Sequence, residues 1–359
     1  MQLKCNVIFF IVLISFIGCS QKQVVIDYTN QNIKYSGRID TSKNSADLYW
    51  PGSSIKMNFI GTGLTALLKD DKGENYYNVI VDDKGLFVFK ADTIKQLYTL
   101  IDSLEQGAHT VEIFKRTEWN RGKTSFYNFT LLGDGELLNK PETKTRAIEF
   151  YGNSITAGYA IEDYSGKDSP DSTYTNNYLS YAALTARHFN AEYSCIVRHG
   201  IGITVGWAKP LMPEIYNRII PWDTTSIWDF SRFTPQIVVV NLFQNDKGVL
   251  GTPNHENYIE RFGKTAPTNE FIIDAYKDFI TQIQYKYPSA KIICALGNMD
   301  ASASELWVNN VKTAVAELNN SNIYALIFPY KETPGHPRIE EQMAMANQLI
   351  DFINKNIEW

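Results

Sequence analysis

The feature that most constrains this chain is a change of hydrophobic period near residue 140. Before it, apolar side chains recur at every second position: Ile55, Met57 and Phe59, then Leu64, Ala66 and Leu68, then Tyr77, Val79 and Val81. A period of two sends alternate side chains to opposite faces of a strand, so each segment buries one face. The turns Asp70-Asp71-Lys72-Gly73 and Asp82-Asp83-Lys84-Gly85 punctuate the pattern, and further strands are predicted over residues 86–90, 110–115 and 126–132. Many short strands with no helical period specify a β-sandwich of the jelly-roll kind over residues 24–140.

From Arg146 the regime is different. Strand-like runs fall at residues 147–151, 191–197, 236–242, 291–296 and 322–328. Between them the apolar spacing turns helical, as in Ile272, Ala275, Tyr276 and Phe279 or Val311, Ala314, Val315 and Leu318. Repeated strand–helix units predict a five-stranded parallel sheet with helices on both faces, an α/β/α domain over residues 146–359. Ligands of such sheets sit beyond the carboxyl ends of the strands.

Those ends carry the chemistry. The first strand runs into Tyr151-Gly152-Asn153-Ser154-Ile155-Thr156, which sets a serine hydroxyl on a strand–helix turn. Unpaired backbone N–H groups there can stabilise a developing negative charge, although Asn153 or Ser154 would equally serve as a plain helix cap. Arg198-His199-Gly200-Ile201-Gly202 follows the second strand, Phe243-Gln244-Asn245-Asp246 the third, and Gly335-His336-Pro337 the fifth. A serine is a weak nucleophile until a base takes its proton, and the tetrahedral intermediate of an ester needs donors for its oxyanion. Nucleophile, base and donors all fall on one edge of one sheet. Singly, Gly200 and Gly202 read as turn glycines, Asn245 with Asp246 as a cap, and His336-Pro337 as a helix start.

The blocks Gly152-Asn153-Ser154-Ile155, the Gly200/Gly202 pair, Asn245-Asp246 and the late His336 resemble the four blocks of the SGNH (GDSL-type) hydrolases. With the preceding sandwich, marked by Trp50-Pro51-Gly52-Ser53-Ser54-Ile55 and Phe59-Ile60-Gly61-Thr62, nearly the whole mature chain is similar to family 2 carbohydrate esterases. The resemblance implies a metal-free carbohydrate O-acetylesterase acting on acetylxylan or 6-O-acetyl hexoses of plant polysaccharides, with no cofactor. It implies Ser154 as nucleophile, His336 as general base and acid, and an oxyanion hole from the Ser154 amide, the Gly200 amide (Gly202 as fallback) and Asn245.

Three departures stand out. Asn153 replaces the usual aspartate. The position three before the histidine, where an acid is usual, is Thr333, with Glu332 one residue off register. Gly335 replaces an aromatic that often precedes His-Pro. The expectation is a Ser154–His336 dyad whose histidine is oriented by a backbone carbonyl, with Glu332 as the alternative. His199 is a candidate second base. The loop of residues 161–177, rich in Asp, Ser and Tyr, is long enough for a rim or lid. Trp207, Trp222, Trp228 and Trp307 read as core, with one of the first three available to stack on a sugar.

A rival within enzymes is a lipase or acyl-thioesterase, since the fold alone does not set the substrate. A rival outside them is a non-catalytic carbohydrate-binding protein on the same scaffold. A formal net charge of -5 gives no footprint for nucleic acid. At the N-terminus, Lys4, the apolar run from Val7 to Ile17 and Phe16-Ile17-Gly18-Cys19 predict a lipoprotein signal peptide over residues 1–18. Cys19 is then the lipidated first residue of an exported bacterial lipoprotein, its membrane contact limited to that anchor; a plain signal peptide or an uncleaved anchor is the alternative reading of the same segment. Cys195 and Cys294 lie in apolar runs and read as buried thiols, and no cysteine or histidine spacing matches a metal site.

Overall fold

The computed structural model describes residues 23–359; the expected signal peptide over residues 1–18 and Cys19 lie outside the described residues. Two six-stranded antiparallel sheets form the first part. In the strand Ser54–Gly61, Ile55, Met57 and Phe59 are fully buried while Lys56, Asn58 and Ile60 are only partly covered, as the period of two predicts. These side chains meet Leu64, Ala66, Leu68, Phe126 and Phe129 of the other sheet in a single core. A β-sandwich results.

The second part is built on a five-stranded parallel sheet. The strand Arg146–Gly152 pairs with Ala191–Val197 on one side and Ile237–Asn241 on the other; Lys291–Leu296 and Ile323–Ile327 extend the sheet. Strands covered on both faces are predominantly apolar, and side-chain alternation divides them between two cores. Ile148, Phe150, Val197 and Val239 face the helices Tyr181–His188 and Ile339–Asn356. Tyr151, Ile196, Val238 and Val240 face Asn269–Lys286 and Glu305–Leu318. Cys195 and Cys294 are buried free thiols, pushed up to about 12 by burial. The order of strands reverses at Arg146–Gly152, so the crevice that α/β sheets use for ligands opens at its carboxyl end, where Ser154 follows.

The sandwich is locked onto this sheet by polar groups taken out of water. Arg38 is fully buried: Nη2 donates to Glu149 Oε1 at 3.2 Å and Tyr151 Oη at 3.1 Å, and Nη1 to the carbonyls of Tyr216 and Arg218. Burial alone would lower the Arg38 pKa, and Glu149 together with Tyr151 and Tyr287 outweighs it, raises the pKa and holds the guanidinium charged. Losing one partner of such a pair strands a buried charge, at a cost of about 3–5 kcal/mol. Trp50 lies in the core of the parallel-sheet domain, its indole N–H donating to the Ile219 carbonyl at 2.8 Å. Gly52 has a φ of +76°, and a Cβ there would stand 2.4 Å from the Tyr193 ring, so this turn accepts only glycine. The Trp50-Pro51-Gly52 segment is therefore interface.

Candidate active site

Asn153 and Ser154 occupy the turn that ends the first parallel strand. Asn153 Oδ1 accepts the Ile155 amide at 3.0 Å and caps the short helix Ser154–Ala157, while its Nδ2 is buried without a partner. Gln342 of the last helix ties the turn down from behind, donating to the Ile155 carbonyl at 2.9 Å and accepting the Tyr181 amide at 2.8 Å. The serine hydroxyl is left facing His336: Ser154 Oγ and His336 Nε2 are 2.8 Å apart.

The expected dyad is corrected here. His336 Nδ1 stands 2.7 Å from Asp168 Oδ2, and the His336 amide donates to both oxygens of the same carboxylate at 2.9 and 3.0 Å. Arg338 Nη2 takes Asp168 Oδ1 at 2.7 Å. A side-chain carboxylate thus orients the histidine, and it comes from the loop of residues 161–177. Glu332 and Thr333 are exposed, and the Thr333 hydroxyl donates to Glu341 instead. Partial burial would raise the Asp168 pKa, yet the donors from His336 and Arg338 hold it well below the usual carboxylate range. With Nδ1–H fixed on a carboxylate, Nε2 presents its lone pair to the serine proton.

Gly335 explains how the acid gets in. It has a φ of +73°, and a Cβ there would lie 2.7 Å from Asp168 Oδ1. The missing aromatic before His336 is thus the clearance that admits Asp168. The loop that delivers it is held firmly: Asp163 accepts the Ser165 amide at 2.9 Å and the Ser169 amide at 2.6 Å, while Arg338 Nη1 donates to the Ala160 carbonyl at 2.5 Å. Two sandwich residues add to this, Arg116 donating to Glu162 and to the Thr173 carbonyl, and Arg121 to the Pro170 carbonyl.

After the strand Ile237–Asn241, Asp246 is fully buried and accepts the amides of Ile203, Thr204 and Val205 and the Thr204 hydroxyl. Burial pushes its carboxyl up in pKa against the pull of these donors. The contact ties the start of the helix Gln244–Leu250 to the loop of Gly200 and Gly202. Asn245 is buried, with Nδ2 donating to the Ile201 carbonyl at 2.7 Å; a carboxamide nitrogen carries a second hydrogen for another acceptor. Gly200 has a φ of +76°, and a Cβ on Gly202 would fall 1.8 Å from the Val205 carbonyl oxygen, so backbone packs too tightly there for any side chain.

Ser154 Oγ pairs with His336 and not with His199, which is held by Glu118 of the sandwich, with its Nδ1 2.7 Å from Glu118 Oε2. Trp228 and Trp307 are buried, as core residues should be; Trp207 and Trp222 are exposed. Sequence reasoning missed Asp168, Tyr159, Glu118 and Arg338. Of these only Asp168 sat in a stretch already marked as a rim, and nothing in its neighbours set it apart from Asp163 or Asp171. Among the described residues no group of three or more His, Cys, Asp or Glu is placed to hold a metal ion.

The carbohydrate esterase 2 N-terminal family matches residues 35–141. The cellulase/esterase CelE of Acetivibrio thermocellus is 33% identical over 347 residues, 93% of this chain, and the chain spans 40% of that relative's length. An acetylxylan esterase / glucomannan deacetylase of Cellvibrio japonicus is 24% identical over 361 residues, covering 95% of this chain and 95% of that one. A solved family two carbohydrate esterase from Clostridium thermocellum, in complex with cellohexaose, has a TM-score of 0.79 and 33% identity, over 90% of this chain and 98% of that chain. A shared sandwich, a shared sheet and a third of the residues identical over nearly all of that solved chain place this protein in carbohydrate esterase family 2.

Proposed function

We propose that this protein is a carbohydrate O-acetylesterase that removes acetyl groups from plant polysaccharides. The observation that carries the reading is the continuous chain Ser154–His336–Asp168, with Oγ to Nε2 at 2.8 Å and Nδ1 to carboxylate at 2.7 Å. Ser154 Oγ attacks the acetyl carbonyl while His336 Nε2 takes its proton. The carbonyl oxygen gains the charge, which the amides of Ser154 and Gly200 and the Asn245 carboxamide stabilise. Collapse breaks the ester bond, the departing sugar oxygen takes the proton from His336, and the acetyl group stays on Ser154. Water, deprotonated by His336, then releases acetate and restores the serine. Asp168 keeps Nδ1–H pointing inward and offsets the imidazolium charge at each proton transfer.

Acetate release separates this reading from its rivals. Acetylated xylan, acetylated glucomannan, acetylated pectin and a long-chain acyl ester are supplied to the purified protein. Acetate should be released from at least one polysaccharide, with kcat/KM above that for the long-chain ester. Faster turnover of the long-chain ester would make the protein a lipase or thioesterase. No turnover of any ester would leave a binding protein.

We further propose that the chain is exported and anchored through a lipid on Cys19 after removal of residues 1–18. The sequence at Phe16-Ile17-Gly18-Cys19 supports this. Cys19→Ser should move the protein from the membrane to the soluble fraction of a fractionated cell. A variant that stays with the membrane would refute the anchor.

A further inference from the structure

A second histidine–carboxylate pair stands beside the first, and its acid comes from the other domain. Glu118 lies on the sandwich segment between the strands Gly107–Lys115 and Thr124–Leu132, and its side chain is 1% exposed. It takes two donors from one residue, the His199 amide on Oε1 and His199 Nδ1 on Oε2 at 2.7 Å. The turn behind it is fixed by the buried Lys115, whose Nζ donates to the Thr117 carbonyl at 2.7 Å and to Asn75 Oδ1 at 2.6 Å. Burial would raise the Glu118 pKa, but the hydrogen bonds from His199 and the nearby Arg198 charge hold it low, so it stays a carboxylate.

This arrangement fixes the other edge of the imidazole. The two ring nitrogens point away from each other, so an Nδ1 aimed at a buried carboxylate leaves Nε2 directed outward. The His199 side chain is 32% exposed, and among the described residues Nδ1 and the main-chain amide account for its hydrogen bonds to protein. Nδ1–H on a carboxylate sets the tautomer in which Nε2 carries a lone pair, an acceptor for a hydroxyl. Tyr159 lies between this histidine and the catalytic one, with its ring centroid 5.0 Å from that of His199 and 5.0 Å from that of His336. The residue next to His199 is Gly200 of the proposed oxyanion loop. One aromatic ring therefore separates His199 from His336, the base that serves the reacting ester, and a sugar ester carries further hydroxyls on its alcohol half.

We propose that His199, held by Glu118 of the sandwich, contacts substrate and accepts a hydrogen bond from a sugar hydroxyl neighbouring the acetylated one. The sandwich domain thereby sets the preference for sugar esters over simple esters. This rests on the esterase reading above. A site built to bond a hydroxyl penalises a substrate that lacks it, and that asymmetry is what the experiment reads.

The wild type, His199→Ala, His199→Gln and Glu118→Gln are compared on an acetylated xylo-oligosaccharide and on p-nitrophenyl acetate, which offers no hydroxyl. For His199→Ala, kcat/KM on the oligosaccharide should fall by about tenfold, mainly through KM, at least about fivefold more than on the aryl acetate. His199→Gln keeps a polar atom for the hydroxyl and should recover part of the loss. Glu118→Gln should reproduce the selective loss. Its amide oxygen must serve the fixed His199 N–H, which turns the NH2 group toward Nδ1 and forces the proton onto Nε2. The 15N signals of the His199 ring should report that exchange of tautomer. Equal losses on both substrates would reduce His199 to a prop for the Gly200 loop and overturn the proposal, as would no loss on either. A wild type that cleaves neither substrate would instead overturn the esterase reading itself.

Discussion

Ser154→Ala is expected to abolish acetate release, lowering kcat by about 10⁴–10⁶-fold, while the protein stays folded. The magnitude follows from serine–histidine units, where removing the nucleophile alone costs nearly as much as removing the whole unit. Stability should change by less than about 1 kcal/mol. Ser154 is 3% exposed, and among the described residues its hydroxyl bonds only to His336 Nε2, whose imidazole keeps Asp168 on its other nitrogen. Alanine fits the helix Ser154–Ala157 without strain, and the Asn153 cap does not use the serine side chain. His336→Ala should be as damaging, because the serine then has no base. The checks are initial rates of acetate release and a urea midpoint on the same preparations. A folded Ser154→Ala protein retaining more than about 1% of wild-type turnover would remove the serine mechanism.

Much of the architecture was legible because burial writes a period into the sequence. Ile55, Met57 and Phe59 announced one face of a sheet, and the strands Ala191–Val197 and Lys291–Leu296 stand where their apolar runs predicted. The third strand, Ile237–Asn241, is one residue shorter at each end than its apolar run, since Gln236 and Leu242 flank the paired segment. Ser154 and His336 were legible because each follows a strand of one parallel sheet, and topology brings such ends together.

Asp168 was hidden for a physical reason. It lies 168 residues from His336, on a loop whose conformation depends on Asp163, Arg116, Arg121 and Arg338, contacts with no local signature. Searching for the acid near the histidine in sequence leads to Glu332, which the chain turns outward. Gly335 was visible but read as a wall lost, when its missing side chain is what admits the carboxylate. Glu118 and Arg38 were hidden in the same way. Each is an ordinary charged residue in the sandwich whose partner belongs to the other domain.

Asp168→Asn is the second large effect expected. The aspartate serves three donors: the His336 amide, His336 Nδ1–H and Arg338 Nη2. An asparagine presents one acceptor and one NH2 group in the same place, so one donor must face another. Arg338 keeps its protons at all working pH values, and the main-chain amide is fixed. The imidazole alone can respond, by losing Nδ1–H and carrying its proton on Nε2, where it no longer accepts from Ser154. Exchanging carboxylate for carboxamide in a serine triad costs about 10⁴-fold in kcat through this tautomer. A loss of about 10³–10⁴-fold is expected here, because the Asp168 side chain is 21% exposed and water can partly replace it. Glu332→Gln is the control and should change turnover by less than about twofold, since that residue is exposed and the imidazole is already held. In the wild type the depressed Asp168 pKa keeps the carboxylate charged throughout the neutral range, with its contribution lost only as pH falls below the usual carboxylate range. Rates of acetate release for the two variants, measured side by side with urea midpoints, decide the matter. If Asp168→Asn stays within tenfold of wild type while Glu332→Gln fails, Glu332 orients His336 in the working enzyme and Asp168 is a loop anchor.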